Sequence, residues 1–360
     1  MNKNLSDTCV QKTNLINEMI ENTNGSPKSK FKNEKERFLW ADVLRGFLIL
    51  LVILGHVLQH GDFQNNTLWN IIYSFHMAAF FTISGFVNYR SNRSSNIIIK
   101  RAKQLLVPFF SWTLLRLIVH GNFNLTNAIN MFLYPDRSFW FIFVLFFIIL
   151  AFYFFQSIAQ KLRINEDYTL LGGCILFVLA MVVSEFRFLG FQFISFYFGF
   201  YTLGWILHKF DITLNRTLTL ITGFMWLILA FFWKMHEVPS PLKGIQFIPD
   251  SLIIYSYRYL TAIMGSIFVI MISKHFINNN KNNSVFNALS YFGKISLGIY
   301  IIHLFIGSFI DPFLLNLLGT TDTSITYIVI DFIVKLITSL IIIKFIERIK
   351  PLNAMLLGKF

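Results

Sequence analysis

The chain has 360 residues, of which 55% are hydrophobic and 14% are charged, and its formal net charge at pH 7 is +13. A soluble protein normally carries about 25% charged residues, and 43 phenylalanines are too many for one aqueous core. These totals exclude a soluble globular fold and predict an all-α integral membrane protein that lies in a lipid bilayer. Cytosolic loops of membrane proteins collect Lys and Arg, so the positive charge indicates topology, and we expect no nucleic-acid partner.

Residues 1–37 are polar, rich in Asn and Lys, and lack the apolar core of a signal peptide. We expect them to form a flexible cytosolic tail. Cys9 lies in this tail and Cys174 in an apolar run, so neither a disulfide nor a metal site is expected. The remainder is predicted to form a membrane domain over residues 38–347 and a second cytosolic tail over residues 348–360.

About ten apolar segments are long enough to cross the hydrocarbon layer, which takes about 20 helical residues. The predicted spans are roughly 39–59, 68–89, 104–120, 138–157, 168–185, 191–208, 215–234, 251–273, 286–309 and 324–346. Lys and Arg are alternately frequent and sparse in successive connections, which places both termini in the cytosol. We therefore expect a multi-pass bundle in the cell membrane, specifically the bacterial cytoplasmic membrane.

Two ionisable residues bracket the apolar run "RGFLILLVILGH" in the first span, Arg45 and His56. Two residues eleven positions apart in a helix lie on the same face within about 20°, and they are separated by about 16 Å along the helix axis. Charged side chains inside a membrane cost free energy, and they usually face the interior of the helix bundle at a functional site. The spacing therefore predicts one inward stripe, with Arg45 in the cytosolic half, His56 near the external end, and Asp42 close enough to pair with Arg45.

Three further ionisable residues fall in the outer half of the membrane, on three other spans. Helical rise places His76, His303 and Arg258 about 9 to 12 Å below the external ends of their helices. Together with His56 they form a candidate reaction layer, although His76 or His303 alone could equally be a hydrogen-bonded packing residue. Glu185, at the outer end of the fifth span, is a candidate for acceptor binding or a solvated end residue.

A basic cluster, Lys100, Arg101 and Lys103, precedes the third span on the cytosolic side. Such a cluster sets topology and would also attract a polyanionic ligand from the cytosol. No Walker or dinucleotide-binding glycine motif occurs in the sequence, which disfavours nucleotide hydrolysis.

Several segments in order resemble the acyltransferase 3 family of membrane acyltransferases, and its fucose 4-O-acetylase-like branch in particular. Arg45 and His56 match the basic-x10-His pattern of that family, and "IYSFHMAAFFTISGF" resembles its second span, with His76 at the histidine. The segments "KRAKQLLVPFF", "SFWFIFVLF" and "GKISLGIYIIHLFI" resemble the third, fourth and ninth spans. The family's Arg-x-x-Arg has no full counterpart here, which leaves open which basic residue contacts the donor.

The resemblance implies transfer of an acyl group, usually acetyl, from cytosolic acyl-CoA to a hydroxyl of an extracytoplasmic glycan or lipid-linked saccharide. We expect His56 to act as base or acyl relay, oriented by His76. Arg45 would stabilise negative charge, and the basic cluster would hold the acetyl-CoA phosphates. Arg258, His303 and Glu185 would bind the acceptor. The alternatives are an exporter of a glycan or lipid-linked sugar, and a sensory or scaffold protein.

Overall fold

The computed structural model describes residues 38–59, 66–89, 96–135, 138–183, 188–245, 247–279, 283–318 and 325–360, and this part of the chain contains thirteen α-helices and no strand. Its helices are α1 (Leu39–Val57), α2 (Thr67–Asn88), α3 (Asn96–Val119), α4 (Leu125–Leu133), α5 (Trp140–Leu162), α6 (Glu166–Val183), α7 (Phe191–Lys209), α8 (Arg216–Phe231), α9 (Asp250–Asn279), α10 (Ser284–Lys294), α11 (Ser296–Leu318), α12 (Ile325–Glu347) and α13 (Lys350–Leu357). The predicted tail 1–37 lies outside the described residues.

Ten of the helices described correspond in order to the ten predicted spans. Among the described residues, six are long and apolar enough to cross a membrane: α1, α2, α3, α5, α9 and α11. Helix α8 is apolar but shorter, at 16 residues. The prediction of an all-α integral membrane protein is confirmed.

The predicted boundaries of the ninth span are wrong. The helix is interrupted at Ile295, so residues 284–294 form the separate helix α10. The spanning helix α11 begins at Ser296 and ends at Leu318. Gly293, Lys294 and Ser296 flank this break in the sequence. Pro312 does not end α11, since transmembrane helices tolerate proline, and Asp311, expected in an external loop, therefore lies inside the helix.

The predicted start of the third span is also wrong, because α3 begins at Asn96 and includes the basic cluster in its first turns. The alkyl stems of Lys and Arg favour helix well enough to extend it beyond the apolar run.

Residues 350–357, predicted as tail, form α13, which packs against α3. There the indole Nε1 of Trp112 donates to the carbonyl of Leu356 at 2.8 Å.

Glycines allow two pairs of helices to approach backbone to backbone. A Cβ on Gly46 of α1 would lie 1.9 Å from the Leu289 carbonyl oxygen, and one on Gly293 would lie 1.8 Å from the Asp42 oxygen. Helices α2 and α7 meet in the same way at Gly85 and Gly204. In lipid, where burial between helices gains little, such close packing supplies much of the association energy. These contacts fix the helices that carry Arg45, His56 and His76.

We predict that Gly85→Ala destabilises the fold by about 3 kcal/mol or more, because its Cβ would lie 1.9 Å from the Tyr201 carbonyl oxygen and backbone must shift. The control is Gly172→Ala, where no atom lies within 4 Å of the added Cβ and helix propensity favours alanine. Thermal unfolding of the purified protein in detergent should separate the two. Equal midpoints would contradict the close α2–α7 contact.

Candidate active site

A cavity with a volume of about 470 Å³ lies near the predicted external ends of the helices. We call it the outer cavity. Its lining comes from α1, α2, α5, α6, α7, α9 and α11, with residues of the α1–α2 and α8–α9 connections. The residues are Val52, His56, Gln59, Tyr73, His76, Met77, Trp140, Met181, Gln192, Phe193, Phe196, Tyr197, Met235, His236, Tyr255, Arg258 and Tyr300. No Asp or Glu is among these lining residues.

His56 lies in the last turn of α1 and is half-buried at the wall of the outer cavity. Its Nδ1 is 2.9 Å from Oε1 of Gln59. An amide oxygen only accepts, so the imidazole proton is on Nδ1 and the lone pair is on Nε2. Gln59 thus favours the tautomer of His56 that carries the proton on Nδ1. Sequence reasoning missed Gln59, although its position three residues after His56 is the spacing of neighbours on a helix.

The other two predicted histidines are more deeply buried and are held by backbone. Nδ1 of His76 donates to the Ile72 carbonyl at 2.6 Å, and Nδ1 of His303 donates to the Ile299 carbonyl at 2.7 Å. The ring centroids of His56 and His303 are 5.4 Å apart. Nε2 of His303 has no hydrogen-bond partner within the part of the chain that the structure describes. The structure therefore brings the three histidines to one end of the bundle, with His56 and His76 on the cavity wall.

Arg45 lines a second, middle cavity of about 140 Å³ and pairs with Asp42, whose carboxylate is 3.6 Å away. The middle and outer cavities adjoin, because Val52, Met77 and Tyr300 line both. Arg45 and His56 therefore face successive cavities along one side of α1, which agrees with the predicted stripe.

A third, inner cavity of about 210 Å³ lies at the predicted cytosolic end. It adjoins the middle cavity, since Leu105 and Leu297 line both. Its basic residues are Arg101, Lys294 and Lys359.

Of the predicted basic cluster, only Arg101 lines the inner cavity, whereas Lys100 and Lys103 are exposed on α3. Arg101 is held by Oε1 of Gln104 at 2.9 Å and by the side-chain oxygen of Asn88. Lys294 and Lys359 were missed, because Lys294 was placed inside a span and Lys359 in a tail. Glu185, the remaining predicted site residue, lies outside the described residues.

A buried ion cluster joins α11 and α12. Lys335, 2% exposed, lies 2.7 Å from a carboxylate oxygen of Asp311 and 2.8 Å from one of Asp331. Its stem runs along α11 beside Gly307, one turn from His303. Sequence reasoning missed this cluster, although Asp331 and Lys335 stand four residues apart in an apolar span, a spacing typical of a helical ion pair.

Residues 38–344 match the family model described as "Acyltransferase domain", Acyl_transf_3. The chain belongs to this family and is a membrane acyltransferase, which favours that class over the exporter and scaffold alternatives.

The comparisons also found two similar curated proteins, both described as nodulation protein NolL. The protein from Sinorhizobium fredii is 36% identical over 86 residues, which cover 20% of this chain and 22% of that protein. The protein from Mesorhizobium japonicum is 32% identical over 106 residues, which cover 26% of this chain and 28% of that protein. The chain thus matches less than a third of each relative's length. No solved structure matches the chain.

We predict that Gln59→Leu lowers the rate of acyl transfer about tenfold, because one hydrogen bond that fixes the His56 tautomer is worth about 1 to 1.5 kcal/mol. The control is Gln160→Leu, at an exposed position near the end of α5. Initial rates with radiolabelled acyl-CoA and membranes containing equal amounts of each variant give the comparison. An unchanged rate for Gln59→Leu would show that the His56 tautomer does not depend on this bond.

Proposed function

We propose that the protein is an O-acyltransferase that moves an acyl group, acetyl in the first place, from cytosolic acyl-CoA to a hydroxyl of an extracytoplasmic glycan or lipid-linked saccharide. The observation that supports this most strongly is the series of three adjoining cavities. It leads from a basic inner end to His56 near the opposite side of the bundle. A donor and an acceptor on opposite sides of a membrane need such a connection.

The inner cavity suits the phosphate-bearing part of acetyl-CoA. Arg101, Lys294 and Lys359 surround it with positive charge, and Lys100 and Lys103 add to the potential that draws a polyanion from the cytosol. The narrow, mostly apolar middle cavity suits the thin arm that carries the thioester. Arg45, with Asp42 beside it, would hold that arm on its way to the outer cavity.

The chemistry needs a base where the acceptor hydroxyl meets the thioester. In the proposed step, the hydroxyl oxygen attacks the carbonyl carbon while Nε2 of His56 takes the hydroxyl proton. The carbon–sulfur bond then breaks, and the leaving thiolate takes up that proton from Nε2 of His56, which regenerates the base. Gln59 keeps the proton of His56 on Nδ1 throughout. In the two-step variant, Nε2 of His56 carries the acyl group itself before the hydroxyl attacks.

The walls of the outer cavity suit a saccharide. Trp140 stacks on Phe193 with centroids 4.7 Å apart and on Tyr197 at 5.7 Å, so the cavity presents a broad aromatic surface. Flat aromatic faces pack against the apolar faces of sugar rings. The polar groups of Gln192 and Tyr255 would form hydrogen bonds with the hydroxyl groups of the sugar. The proposed location is the cytoplasmic membrane of a bacterium, where acyl-CoA and surface glycans are on opposite sides.

We predict that His56→Ala lowers acyl transfer by at least about 100-fold, the usual contribution of a general base. The assay supplies radiolabelled acetyl-CoA to membranes and measures alkali-labile label in glycan. His120→Ala is the control, since His120 is exposed and hydrogen-bonded to Ser308 away from the three cavities. Full activity of folded His56→Ala protein would rule out His56 as base or relay. Label on His56 in the absence of acceptor would identify the two-step variant.

We predict that Leu297→Trp blocks the donor route, because Leu297 lines both the inner and middle cavities and a larger side chain would fill their junction. Transfer should fall at least about tenfold, while folding changes little because the added volume enters open space. The matched control is Leu317→Trp on the same helix, where the side chain is 65% exposed. Equal activity of the two variants would contradict passage of the donor through this junction.

A further inference from the structure

Arg258, predicted from the sequence to bind the acceptor, is the arginine among the described lining residues of the outer cavity, and the chemical step proposed above does not use it. It lies on α9, is partly buried, and lines the same cavity as His56. Its guanidinium carbon lies 5.2 Å from the ring centroid of Phe196 and 6.0 Å from those of Trp233 and Tyr255. These rings surround the charge and restrict its position.

No described carboxylate lies within 4.0 Å of Arg258, and its guanidinium donates a long hydrogen bond, 3.4 Å, to the carbonyl of Met235. Other cations in or beside the bundle have carboxylates: Lys335 has two, Lys209 has two and Arg45 has Asp42. Lys274, which lies over the rings of Trp40 and Phe86, also has no carboxylate within 4.0 Å among the described residues. Of these two cations, Arg258 lines one of the three cavities and Lys274 lines none of them.

An anionic group of a ligand would pair with the guanidinium of Arg258 and neutralise its charge. A guanidinium carries five N–H donors in a planar fork that fits the two oxygens of a carboxylate or phosphate. Removing such a charge from water without a partner costs free energy, and aromatic rings return only part of it. Since the described lining of the outer cavity contains no Asp or Glu, an anion that enters it meets attraction without repulsion from a neighbouring carboxylate.

We propose that the acceptor is an anionic saccharide whose carboxylate or phosphate group binds Arg258, while its sugar ring packs against the aromatic wall and presents a hydroxyl to His56. This inference rests on the proposed function. The anionic group is either the carboxylate of an acidic sugar or the phosphate of a lipid-linked sugar, and both have the same chemistry at Arg258. A neutral saccharide would leave the guanidinium unpaired.

The first experiment identifies the charge of the natural acceptor. Membranes of the cells that make the protein receive radiolabelled acetyl-CoA, and labelled glycans and glycolipids are then separated on an anion exchanger. We expect the label to bind the exchanger. Loss of binding after carbodiimide amidation would identify a carboxylate, and loss after mild acid would identify a sugar phosphate. Label in neutral saccharide alone would overturn the inference and leave the proposed function standing. No label in any glycan would contradict the proposed function itself.

The second experiment measures the kinetics of Arg258 variants with the acceptor that the first experiment identifies. We expect Arg258→Gln to raise the KM for this acceptor 10- to 100-fold, with kcat within threefold and an unchanged KM for acetyl-CoA. Arg258→Lys should recover part of the affinity, because it keeps the charge and loses the fork. The control is Arg116→Gln on α3, since Arg116 lines none of the three cavities. A fall in kcat with unchanged acceptor KM would mean that Arg258 stabilises charge in the reaction instead, and would overturn the inference.

Discussion

The candidate site depends on two contacts in which helix backbones touch. At Gly46 and Gly293, and again at Gly85 and Gly204, a single methyl group would overlap a carbonyl oxygen of the facing helix. Because lipid gives little drive for apolar faces to associate, such contacts decide how helices are spaced and in which register they lie. They lock α1 against α10 and α2 against α7, so the depths of the residues on α1 and α2 are set by backbone. The outer cavity then occupies space beside α1, α2, α7 and α9, and the middle cavity lies beside α1, α2, α3, α5 and α11.

Electrostatic cost explains where the charged residues lie within this frame. An ion inside a bundle must be paired, solvated or in use. Lys335 satisfies the first condition with Asp311 and Asp331, and this closed cluster fastens α11 to α12 beside His303. Arg45 is paired and also faces a cavity, whereas Arg258 faces a cavity without a carboxylate among the described residues. Lys335 therefore joins helices, whereas on the proposed function Arg45 and Arg258 face the cavities in which ligands bind.

Helices and the main polar stripe could be predicted from the sequence because both follow from local regularity. Apolar length gave ten helices in the right order, and the 3.6-residue period put Arg45 and His56 on one side of α1. What failed depended on three-dimensional context. The break at Ile295 has only Gly293, Lys294 and Ser296 as local signals. Helix α13 packs back on α3 through contacts between residues more than 200 positions apart, such as Trp112 and Leu356. Lys294 and Lys359 reach the inner cavity for the same reason, and no local pattern could place them there.

The series of cavities also accounts for the position of the proposed base far from the donor's side. A glycan carries many hydroxyl groups, and drawing it toward the cytosol would strip each of water at a cost of about 1 to 3 kcal/mol per unpaired group. The arm of acyl-CoA is thin and has fewer polar groups than a saccharide, namely two amides and one hydroxyl, so moving it outward costs less. In the proposed reaction, such an arm would pass from the middle to the outer cavity beside Val52, Met77 and Tyr300, which line both. On the proposed function, the enzyme brings the smaller partner across the membrane and keeps the larger one in the aromatic outer cavity, where Arg258 and His56 meet it.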